Sequence, residues 1–158
     1  MSRVVYGAIA GLCATMAMTA TMRALHSTLH HQDRYPLPPR EITETLLPVS
    51  QRSAALATII SHFAYGAAAG AIFGALPRST SGLVFGPSVW LASYLGWIPG
   101  AAILKPATQH PHQRNALMMA AHLVWGGCLV WGIRELEASA ASAFSSGPLK
   151  DRQEGRLQ

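Results

Sequence analysis

The sequence predicts an all-α integral membrane protein, a bundle of four transmembrane helices. Three observations carry that expectation. Half of the 158 residues are apolar and only 12% are charged, against roughly 25% charged in soluble domains. The charges also segregate, gathering near the N-terminus, between Arg23 and Arg52, from Lys105 to Arg114, and from Arg134 onward. Between them lie four runs in which histidine is nearly the only ionisable residue. A soluble fold would spread its charges along every amphipathic element; segregation points to lipid.

Crossing the hydrocarbon core takes about 20 residues. Residues 4–22 meet this and end at Arg23; 54–76 stop at Pro77 and Arg78. Residues 82–104 close on Lys105 and Pro106, and 116–133, the shortest run, on Arg134 and Glu135. Basic residues and prolines are sensible stops for a span. The first run exceeds the usual h-region of a signal peptide and is preceded only by Arg3, so it reads as a retained helix. The expected membrane domain is 1–137, with a loop at 23–53 and a polar, disordered tail at 138–158.

Within the runs, small residues recur at helical spacing. Gly7 and Gly11 form one GxxxG pattern, Gly66, Gly70 and Gly74 a double one, and Gly96 and Gly100 another. Such stripes let backbones approach in lipid. Packing within the bundle is the first expectation, and a homo-oligomer through the Gly66 stripe the second. Pro87 and Pro99 each remove a backbone donor and predict a kinked third helix. Cys13 and Cys128 sit inside apolar runs, where neither a disulfide framework nor a CxxC site is available.

The net charge of +5 comes from dispersed basic residues rather than a patch, so no nucleic-acid partner is expected. Juxtamembrane arginines beside a lipid bilayer account for it. The first and third loops carry six basic residues (Arg23, Arg34, Arg40, Arg52, Lys105, Arg114). The opposite side carries Arg3, Arg78, Arg134, Lys150, Arg152 and Arg156, the last three far down the tail. Charge alone therefore leans toward cytoplasmic first and third loops.

The histidines are the most informative residues. His26, His30 and His31 follow the first run, and His110 and His112 precede the fourth. With four spans, these five and the two within spans, His62 and His122, all fall in one half of the membrane. Ser61-His62-Phe63-Ala64-Tyr65-Gly66 and Ala121-His122-Leu123-Val124-Trp125-Gly126 share the pattern small-His-x-x-aromatic-Gly. That pattern suggests two tandem helical hairpins with both histidines at one depth.

Ionisable groups inside spans are costly and are functional candidates by default. The plain alternative is an imidazole bonded to a local carbonyl, with Tyr65 and Trp125 as ordinary interfacial aromatics. A second reading makes His62 and His122 ligands of a metal or a b-type haem. A third makes them proton-responsive. In the first loop, Pro36-Leu37-Pro38-Pro39-Arg40-Glu41 joins a stiff proline segment to a helix start, with Glu41 and Glu44 on one face. Folded over the bundle mouth, it would bring Arg40 and Glu41 toward His62 and His122, where a carboxylate orients an imidazole.

At these residues the chain resembles the YagU family of small bacterial inner-membrane proteins. The resemblance rests on Pro36-Leu37-Pro38-Pro39-Arg40, on His62 in the second run, and on Ala121-His122-Leu123-Val124-Trp125. It spans roughly two-thirds of the chain; the first loop here is shorter than in the family member compared and lacks cysteines. The resemblance implies a multi-pass inner-membrane protein with both termini cytoplasmic, opposite to the charge lean, and we follow it. The histidine face is then periplasmic.

The expected function is non-enzymatic: a pH-responsive or small-ligand-binding membrane protein acting through His62, His122, Arg40, Glu41, Tyr65 and Trp125. No cofactor is expected, and no nucleophile–base set or HExxH motif is present. One alternative is an accessory subunit of a larger membrane complex. The other is a bis-histidine haem or metal protein.

Overall fold

A computed structural model describes residues 2–34, 36–46 and 50–145. Among them the chain is all-helical, with three helices long and apolar enough to cross a membrane. These are α1 (Arg3–His26), α3 (Gln51–Ala75) and α6 (His112–Ala141). A short helix, α2 (Pro38–Leu46), lies between the first two.

The third apolar run departs from expectation. It does not form one regular helix over 82–104 but breaks into α4 (Gly82–Leu91), a π-helical stretch (Ala92–Trp97) and a single turn, α5 (Ile98–Gly100). Pro87 and Pro99, each lacking a backbone donor, stand on either side of the irregular stretch. The helical path ends where Ala102 takes left-handed backbone, φ 55°. At the other three runs the helix extends beyond the expected span at one end or both. The fourth, expected at 116–133, is the longest helix; its first turns hold His112 and Arg114 and its last run into the tail as far as Ala141. Residues 146–158, most of the expected disordered tail, lie outside the described residues, as does Tyr35.

Helix α1 is the centre of the bundle and packs along both α3 and α6; α4 packs along α6. Glycine makes these approaches possible. A methyl group on Gly7, Gly11, Gly70 or Gly74 would strike backbone of the facing helix across the α1/α3 seam. Gly82 and Gly126 oppose each other across α4/α6, and Gly86 lies against the backbone of His122. The Gly66 stripe is thus consumed within the chain, Gly66 itself meeting Thr15. Gly96 and Gly100, by contrast, face open space.

These contacts fix direction. Gly74 lies against Arg3 and Gly66 against Thr15, so α1 and α3 are antiparallel. Gly82 sits near Val130 and Gly86 near His122, so α4 and α6 are antiparallel too. At one end, the Arg3 guanidinium donates to the carbonyls of Gly74 (3.1 Å) and Leu76 (2.8 Å), capping α3. Glu137 of α6 joins that end, 3.0 Å from Arg78 and 3.8 Å from Arg3. The opposite end carries the first and third loops, which meet through Glu41 and Arg114.

Candidate functional site

At the loop-one end, the interior opens into a cavity of about 280 Å³. Four walls form it: Thr15 and Met18 of α1; His62, Tyr65 and Ala69 of α3; Trp90, Ser93, Tyr94 and Trp97 of the broken helix; and Met118, His122 and Trp125 of α6. The roof is α2, whose Pro38, Pro39, Ile42 and Leu46 face inward. Among the described residues, no Lys, Arg, Asp or Glu is in the lining.

His62 and His122 therefore share one cavity. They stand eleven and ten residues beyond the first residues of their helices, about 15–17 Å along at 1.5 Å per residue. They lie in the bundle's middle depth rather than at its rim. The two imidazoles are anchored differently. His122 is buried, and its Nδ1 lies 2.8 Å from the Met118 carbonyl. A carbonyl only accepts, so a neutral ring carries its proton on Nδ1 and keeps a lone pair on Nε2. His62 Nε2 is buried with no hydrogen-bond partner.

The aromatics beside them also differ. Trp125 is 2% exposed and is core, not an interfacial residue. Its indole N–H donates to Thr15 Oγ1 (3.2 Å) and, at 3.3 Å, to the Gly11 carbonyl. Tyr65 is 45% exposed and shares a 2.8 Å hydrogen bond with the Ser93 hydroxyl. Ser93 in turn donates to the Val89 carbonyl at 2.7 Å, the local back-bonding that bends helices.

Arg40 and Glu41 do not line the cavity. The proline segment covers the bundle mouth as expected, but with its apolar face inward. Arg40 pairs within its own helix to Glu44 at 2.7 Å. Glu41 pairs with Arg114 at 2.9 Å, so the carboxylate expected beside an imidazole is engaged elsewhere. Arg114, 1% exposed, also donates to the Pro36 carbonyl at 2.6 Å. It pins α2 to the start of α6, whereas the sequence alone places it among the basic residues of the third loop. The signal was present: a lone arginine three residues after Pro111, inside the first turn of a long apolar helix.

Trp90 was missed as well. It lines the cavity at 7% exposure, and its indole N–H is buried without a partner. Its sequence context, Ser-Val-Trp-Leu in an apolar run, resembles any lipid-facing tryptophan; only the packing makes it internal. The remaining histidines are not in the cavity lining; the His110 ring packs tilted against Tyr94, centroids 5.4 Å apart, with Nε2 3.2 Å from the Lys105 carbonyl. Among the described residues no group of three or more His, Cys, Asp or Glu could hold a metal ion, so His62 and His122 stand as a pair. No protein-family model, no curated protein and no solved structure matches the chain.

Proposed function

We propose that this is a non-enzymatic membrane protein that binds a small, uncharged, mostly apolar ligand in the cavity between α3, α6 and the broken helix. The observation that carries the reading is the pair of buried polar atoms, His62 Nε2 and Trp90 Nε1, without partners in the wall of one cavity. Buried polar groups are nearly always hydrogen-bonded, and each exception asks for an explanation. A ligand oxygen supplies one. The cavity volume lies just under the roughly 300–1,000 Å³ usual for small-molecule sites, and its apolar wall with few polar groups has the usual chemistry. Engagement of Glu41 by Arg114 favours a neutral ligand over a proton site built on a carboxylate–imidazole pair.

The setting is a four-crossing bundle of two tandem hairpins, α1 with α3 and α4 with α6. The helical path over 82–100 is about 28 Å long at 1.5 Å per residue, close to the thickness of the hydrocarbon core, about 30 Å. Following the resemblance to the YagU family, we place the protein in a bacterial inner membrane with cytoplasmic termini and the roofed end periplasmic. Single-cysteine labelling at Thr28, Thr80 and Gln109 tests this: Thr28 and Gln109 labelling from one side and Thr80 from the other supports four crossings.

The ligand reading is tested by native mass spectrometry of the protein extracted in its own lipids. A small molecule bound near one per chain, lost in His62→Leu and Trp90→Phe, is expected. A ligand-free chain bound to a stoichiometric protein partner would instead mean an accessory subunit. Stoichiometric metal lost in His62→Ala and His122→Ala would move the bis-histidine reading to first place.

A further inference from the structure

The cavity is not equally closed on all sides. Of its lining residues, the exposed ones are Leu46, Ser61, Tyr65 and Trp97. Tyr65 and Trp97 meet where α3 faces the π-helical stretch, Ser61 lies one turn before Tyr65 on α3, and Leu46 ends the roof. Helices α3 and α4 are not zipped by glycine as the other pairs are. The links across the gap are the Tyr65–Ser93 hydrogen bond, the Tyr65–Trp97 ring contact at 6.3 Å and, deeper, the Phe73–Phe85 contact at 5.0 Å. The watery end is shut more firmly, by the apolar underside of α2 and the Glu41–Arg114 pair.

We infer that the cavity is entered sideways from the bilayer, between α3 and the π-helical stretch. The ligand is a lipid-soluble ring compound of the quinone type, its head inside and its tail passing out beside Tyr65 and Trp97. This rests on reading the cavity as a ligand site. The head must be uncharged, because the described lining residues offer no ion to match a phosphate or an ammonium group. It must accept hydrogen bonds, because Trp90 Nε1 can only donate. His62, with no partner on Nε2, can take the tautomer that donates there as well. It should be flat, since Tyr65 on the α3 wall and Trp90, Tyr94 and Trp97 on the adjoining broken-helix wall line the cavity with aromatic rings. A ring carrying carbonyl oxygens meets all three conditions. A tail suits the way out, because the exposed rim at Tyr65 and Trp97 lies within the apolar height of α3 and the broken helix.

Tryptophan fluorescence of the full chain in lipid nanodiscs tests this. Trp90, Trp97 and Trp125 line the cavity, whereas Trp131 is exposed on the outer surface of α6. In a Trp131→Phe background, a decyl-tailed benzoquinone should quench saturably at one per chain. Trp90→Phe, which keeps a ring but loses the donor, should weaken binding roughly 2- to 10-fold, the range of one hydrogen bond. Tyr65→Phe, which removes the latch and keeps the ring, should accelerate association, while Glu41→Gln should not.

Acceleration by Glu41→Gln alone would put the entrance under α2 and overturn the lateral route, as would an unchanged rate in Tyr65→Phe. Saturable binding unaffected by Trp90→Phe would overturn the assigned head contacts. Linear, unsaturable quenching would overturn the quinone class, and a different molecule found by native mass spectrometry would then leave the ligand reading itself standing.

Discussion

The two glycine-closed hairpin seams and the gap between α3 and the broken helix use the same residue types to opposite ends. Along α1/α3 and α4/α6 a methyl on Gly7, Gly11, Gly70, Gly74, Gly82, Gly86 or Gly126 would strike backbone, so the helices approach closely. Across the gap, glycine is present but idle: Gly96 has nothing within 4 Å, and the spacing is held by Tyr65, Ser93 and Trp97. Close packing builds a rigid frame in lipid, where no hydrophobic force between helices assists. Leaving one seam to aromatic side chains gives that frame an interior.

The largest expected effect lies in the frame. Gly70→Ala, which puts a methyl into the backbone of both Gly7 and Gly11, should cost about 3 kcal/mol, the upper part of the usual overpacking range. Thermal unfolding in detergent reads it. Gly96→Ala should stay within about 0.5 kcal/mol of wild type; an equal loss at both positions would erase the distinction between seam and gap.

Next comes the roof. Glu41→Gln removes the charge partner of a buried guanidinium and should cost about 2 kcal/mol, below the cost for a fully buried pair because Glu41 is partly exposed. Faster hydrogen exchange confined to residues 38–46 would locate the loss in α2. Exchange rising across α3 instead would show the roof to be part of the frame.

Trp125→Phe, which removes the indole N–H bonded to Gly11 and Thr15, should cost about 1 kcal/mol. The smallest effect belongs to the gap itself. Tyr65→Phe breaks a half-exposed hydrogen bond and should cost about 0.5 kcal/mol. A Tyr65→Phe loss larger than that of Trp125→Phe would mean that the gap, too, is structural.

Much of the scaffold was legible because lipid imposes simple rules. An apolar run of about 20 residues must be helical to satisfy its own backbone, and residues spaced by four share a face, so Gly7 lies with Gly11, and Gly66 with Gly70 and Gly74. Placing His62 and His122 on helices of one direction followed from counting crossings, and the structure does bring them to one cavity. The third run was less legible. Pro87 and Pro99 announced an irregularity, but whether a missing donor yields a kink, a break or a π-helical stretch depends on what packs beside it.

The sequence by itself determined that the chain is helical, that it carries apolar runs long enough to cross a membrane, and which glycines could touch. Only the tertiary structure decided that Glu41 meets Arg114 rather than a histidine, and that Trp90 points inward with its N–H unpaired. The reason is geometric. Spacing along a helix fixes which residues share a face, but the partner of a charge or a hydrogen-bond donor lies on another helix. Its rotation and depth are set by where backbones can come closest.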